Sequence, residues 1–129
     1  MNYNIIPILG VSAFLYPVIY YKSYRSFIIF LNGILYHGTN NSIFKYNAVI
    51  TNIILISYTS YLYKSSRLLG MLGSFMYISN VYLCNKNLLN KNQGEIFHVL
   101  GTQWILLIGL LNSLKEKNMI HSHLALKSF

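Results

Sequence analysis

The sequence has no aspartate, only two glutamates (Glu95 and Glu116) and a single cysteine, Cys84, among its 129 residues. Each shortage closes a class of chemistry. Without aspartate, no Ser-His-Asp set can be assembled. With one cysteine, neither an intrachain disulfide nor a cysteine-based zinc cluster can form, and Cys84 is expected to serve as a small buried hydrophobe. Charged residues make up 9% of the chain, against about 25% in soluble domains, so the chain cannot keep a water-facing surface wet. There is no glycine-rich phosphate loop, no potassium-filter motif and no Cys-His haem motif.

What the chain does have is apolar residues, 54% of the total, with a mean hydropathy of +0.44. The lipid bilayer is the natural solvent for that composition. The ten Lys and Arg give a net charge of +8, yet they occur in ones and twos between apolar runs. That scatter fits loop charges of a polytopic membrane protein rather than a stripe tracking a nucleic-acid backbone. The expected partners are therefore the lipid bilayer and other membrane subunits, with no nucleic acid. The richness in Ile, Asn, Tyr, Lys and Phe suggests an AT-rich coding genome, viral or organellar.

Five apolar segments stand out, at about residues 5–21, 23–37, 46–63, 68–83 and 95–114. A span needs roughly 17–25 residues, so the second is marginal. Charge decides its placement. If all five cross, Lys22, Arg25, Lys64, Arg67, Lys115, Lys117 and Lys127 share one side and Lys45, Lys86 and Lys91 the other, seven against three. If the second does not cross, the same ten divide five against five. The positive-inside rule favours the first arrangement. The expected fold is thus all-α, a polytopic transmembrane bundle of about five spans over residues 1–114, followed by a basic tail over 115–129 that lies on the membrane surface. The amino terminus would lie outside and the carboxyl terminus in the cytoplasm or its equivalent. The first segment lacks a basic leader and a small-residue cleavage site, so it is expected to be retained as a span.

Two histidines mark segment ends. His37 closes the second segment and His98 sits just inside the fifth; five crossings put both on one membrane face. Asn47, near the start of the third segment, and Glu95, one turn before His98, join them there. Ionisable groups at membrane depth point to function by default. The plainer account is interfacial placement, with Asn as a helix cap and Glu favoured by the helix dipole. His121 and His123 fall on the opposite side, in the tail.

The stretch from Asn32 to Asn47, a helix ending in Tyr-His followed by a polar loop, resembles the second-to-third helix region of alkaline ceramidases. The stretch GEIFHVLGTQW is similar to the last helix of the same superfamily of seven-helix membrane hydrolases. The resemblance implies a metal site in which His37 and His98 are ligands and zinc the cofactor, with Glu95 as a third ligand and Asn47 where the family carries an aspartate. Gly94 stands where the family has another histidine, Gly33 falls on or near the position of its serine, and five helices replace seven. Two expectations follow: a non-enzymatic structural or assembly component of a membrane or membrane complex with no catalytic residues, or a reduced, metal-dependent lipid amidase of the ceramidase type. The first is favoured, because a hydrolytic zinc needs three protein ligands and only two are good ones here.

Overall fold

The computed structural model describes residues 5–39 and 41–127, and those residues contain helices and no strand. The chain forms five helical rods in sequence. The first is made of α1 (Ile5–Val11), a 3-10 turn at Ser12–Phe14 and α2 (Leu15–Tyr21). The second and third are α3 (Tyr24–Gly38) and α4 (Ser42–Leu62); the fourth is α5 (Arg67–Asn85), entered through a 3-10 turn at Lys64–Ser66. The last begins as α6 (Lys91–His98), passes through a π-helical turn at Val99–Gln103 and continues as α7 (Trp104–Lys127).

Local chemistry sets these boundaries. Pro17 has no N–H and its ring clashes with the carbonyl four residues back, at Ala13, which is where the first rod tightens to 3-10 geometry. That rod stops at Lys22, whose φ of 54° is left-handed. Ser23 starts α3 by accepting from Ser26 N at 3.2 Å and Ser26 Oγ at 2.8 Å. Asn41 caps α4 through Ile43 N at 2.9 Å, so this helix begins earlier than the apolar run that marks it. Asn90 and Gln93 form a reciprocal capping box, which likewise starts α6 before the apolar run. Helical backbone continues into the basic tail: α7 runs without a break through Lys127. His121 is exposed on it, while the side chains of His123 and Lys127 lie outside the described residues.

Packing brings α3 against α4 and α5 against α7, with α1 laid over α3 and the π-helical turn. Gly33 makes the α1–α3 crossing tight, since any Cβ there would run into Val11. Asn32 Nδ2 donates to Asn52 Oδ1 at 3.0 Å across the α3–α4 interface. Cys84 is half-buried rather than fully buried and donates to Asn80 Oδ1, whose own Nδ2 donates to Gly94 O and ties α5 to α6.

The distribution of side chains is inverted relative to a water-soluble globule. The buried apolar residues are Val11, Phe14, Ala48, Val99 and Leu110, whereas Ser26, Asn32, His37, Thr59, Asn80, Thr102 and Gln103 are among the buried polar ones. Outward positions carry large hydrophobes, as at Ile50, Ile53 and Ile54 of α4 and Leu68, Met71 and Phe75 of α5. Among the described residues one helix, Lys91–Ser122, is long and apolar enough to cross a membrane, and Ile5–Tyr21 is apolar but shorter. At 15 residues, α3 is about 22 Å long.

Candidate functional site

His37 sits in the last turn of α3 and His98 at the end of α6, and α1, which packs against both α3 and the last rod, brings them together. Their Nε2 atoms lie 3.2 Å apart, and their rings meet edge to face with centroids 5.0 Å apart. Gln103 completes the cluster. Its Nε2 donates to Pro7 O at 3.1 Å and lies 3.4 Å from His37 Nε2. An amide nitrogen can only donate, so His37 Nε2 serves as acceptor in that contact. His98 Nε2 approaches the same nitrogen, so two groups converge on its one in-plane lone pair. His37 Nδ1, Thr102 Oγ1 and Gln103 Oε1 are buried and have no hydrogen-bond partner among the described residues.

The π-helical turn creates this arrangement. The Trp104 N–H reaches back five residues to Val99 O instead of four, and the extra residue rotates Gln103 toward α1 and α3. Such turns occur inside longer helices, often at functional sites. Gly10 receives Gln103 there, because a Cβ at residue 10 would collide with Gln103 Oε1 and with Val99. Trp104 Nε1 donates to Gly10 O at 3.3 Å and adds a second tie to α1. Above the histidines, Tyr36 OH and Tyr77 OH face each other at 3.5 Å, and Lys45 Nζ lies 5.5 Å from the centre of the Tyr36 ring.

Below this cluster runs a cavity of about 240 Å³ between the α3–α4 pair and the α5–α7 pair. Its walls are mainly apolar, including Phe14, Ile29, Ile56, Leu106 and Leu110, and its head is formed by Tyr36, His37, Tyr77 and His98. It is open along one side, where the lining residues Ile53, Ser74 and Ile78 are exposed.

Of the four residues singled out in the sequence, His37 and His98 meet and the other two stand apart. Glu95 is half-buried on α6, and among the described residues no three His, Cys, Asp or Glu side chains come close enough to share a metal ion. Asn47 is exposed on α4 and does not line the cavity. Catalytic zinc takes three protein ligands and an open position, and the described residues bring only two such ligands, His37 and His98, together. The residues present do not fit a hydrolytic zinc centre.

Gln103, Thr102, Tyr36 and Tyr77 escape a search for metal ligands or acid–base pairs. Gln103 alone carried a signal, as an amide within the most apolar stretch of the chain. No known protein family, no characterised protein and no solved structure matches this chain.

Proposed function

We propose that the protein is a multi-pass integral membrane protein whose five rods all cross the bilayer, acting as a non-enzymatic structural or assembly component of a membrane or membrane complex. The observation that carries this reading is the inverted burial, with amides, hydroxyls and imidazoles inside and large hydrophobes outside. In lipid, helices satisfy their own backbone groups and associate through small residues and interhelical hydrogen bonds. The Asn32–Asn52 and His37–His98–Gln103–Pro7 links supply such bonds. In this reading the histidines act as joints between helices, and the short α3 crosses where the bilayer thins around it.

The topology follows from the distribution of charge, with Lys22, Arg25, Lys64 and Arg67 on the cytoplasmic side or its equivalent. Single cysteines placed in a Cys84→Ser background test it. Reporters at Tyr24 and Ser65 should label from one side of the membrane, and reporters at Thr39 and Asn90 from the other. Equal labelling of both pairs from one side would remove α3 from the set of spans, and extraction of the protein by carbonate would defeat the membrane reading as a whole.

One observation favours the second reading, a reduced lipid amidase related to the alkaline ceramidases: His37 and His98 converge as that resemblance requires. The distance of Glu95 and Asn47 from them weighs against it. Stoichiometric zinc in the purified protein, with ceramide hydrolysis lost in His98→Ala, would reverse the preference.

A further inference from the structure

The cavity between the two helix pairs is elongated. Val49 and Ser60 of α4 both line it, and eleven residues of helix separate them by about 16 Å. Its volume of about 240 Å³ and its mainly apolar walls suit a hydrocarbon chain lying along the helices. Ser74 lines the cavity from α5, while Gly70 packs close to α4, where a Cβ would meet Ser60 Oγ. The lateral opening at Ile53, Ser74 and Ile78 lets a chain enter from the side.

The two ends of this slot differ. At the far end, Arg25 Nη1 donates to Thr59 Oγ1 and Ser66 Oγ donates to the carbonyls of Thr59 and Tyr63. Those groups are already engaged with one another. At the head, the Tyr36 and Tyr77 hydroxyls are 3.5 Å apart, well beyond the usual O–H···O separation of about 2.7–2.8 Å. A single acceptor oxygen seated between them can sit at the usual distance from both, so the pair forms a two-donor fork. Lys45 Nζ, over the Tyr36 ring, puts a positive charge beside that fork.

We infer that the slot binds one unbranched hydrocarbon chain bearing an anionic oxygen head, with the head held by Tyr36 OH and Tyr77 OH and its charge offset by Lys45 just outside the lining. The chain exchanges contacts with lipid for close packing along α4 and α5. The head gains charge-assisted hydrogen bonds, which are stronger than neutral ones. A fatty carboxylate and a single-chain lipid phosphate share this chemistry. The inference goes beyond the structural role proposed above and stands or falls separately from the topology.

The test uses the full chain in native-lipid nanodiscs, labelled with a diazirine-bearing palmitate and mapped by mass spectrometry. Labelling should concentrate on residues 49–60 and 70–78, and unlabelled palmitate or lysophosphatidate should compete with it. The better competitor of the two identifies the head, and hexadecanol, which lacks the charge, should compete about tenfold less well; tenfold corresponds to about 1.4 kcal/mol. Ser74→Leu fills the slot and should lower labelling about tenfold. The double variant Tyr36→Phe, Tyr77→Phe should erase the preference for the anions over hexadecanol while leaving labelling by a diazirine alkane unchanged. An unfolding midpoint for each variant, held near that of the parent, separates these effects from misfolding; Val49→Phe fills the slot from α4 if Ser74→Leu fails to fold. Labelling spread evenly over outward residues such as Ile50 and Leu68, or labelling unaffected by both filling variants, would overturn the inference. Equal competition by hexadecanol would overturn the assignment of the head.

Discussion

The two ends of the bundle handle buried polar groups in opposite ways. At the arginine end, Arg67 donates to Ser60 O at 2.7 Å and to Tyr61 O at 3.0 Å, covering carbonyls that the end of α4 leaves free. Arg25 stacks over Tyr58 with its guanidinium 5.0 Å from the ring centre and donates to Thr59. Ser66 joins the carbonyls of Thr59 and Tyr63. At the histidine end, the tight His37–His98–Gln103 cluster leaves His37 Nδ1, Thr102 Oγ1 and Gln103 Oε1 without partners. The first end is a closed network and contributes stability. The second leaves these groups unpaired among the described residues, and it is the end that carries the π-helical turn and the cavity head.

The comparison can be broken most directly at Gly10. Gly10→Val drives a side chain into Gln103 and Val99, and overpacking of this kind costs about 3 kcal/mol. Unfolding followed by Trp104 fluorescence in detergent should show a large drop in midpoint. A midpoint within error of the parent would mean that α1 does not rest on the π-helical turn. His98→Ala comes next, with a loss of about 2 kcal/mol from the missing hydrogen bond and the space left behind. If it proves as stable as the parent, the histidine pair is not a joint between helices.

The smallest effects sharpen the comparison best, because they use the same substitution at both ends. Thr59→Val removes a hydroxyl that accepts from Arg25 and should cost about 1 kcal/mol. Thr102→Val removes a hydroxyl with no partner; it should be neutral or stabilising by less than about 1 kcal/mol, since an orphaned polar group is replaced by an apolar one of the same shape. Equal losses at the two sites would mean that Thr102 has a partner such as bound water, and the contrast between the ends would disappear.

Several elements were legible before any coordinates. The five apolar runs correspond to the five rods, because a run of Ile, Leu, Phe and Tyr between polar loops has few ways to satisfy its backbone except as a helix. Helix starts were less legible, since Asn41 and the Asn90–Gln93 box extend α4 and α6 into polar sequence that hydropathy assigns to loops. The tail looked separate because Lys115, Glu116 and Lys117 are polar, yet helical backbone continues through them. Glu95 and Asn47 looked like members of the histidine site because depth along a span can be counted in residues. Rotation about the helix axis and helix neighbours cannot be counted in that way, and both turned out to matter.

The sequence by itself determined that the chain is helical, that its surface is apolar and that His37 and His98 lie at the same end, since each of these depends on composition and on local spacing along the chain. The tertiary structure alone decided that the two imidazoles touch, that Gln103 rather than Glu95 is their neighbour, and that a mainly apolar cavity opens beneath Tyr36 and Tyr77. Those outcomes depend on which helices pack and how each is rotated. Both are governed by small contacts such as Gly33 on Val11 and by one extra residue in the π-helical turn, which leave no periodic signal in the sequence.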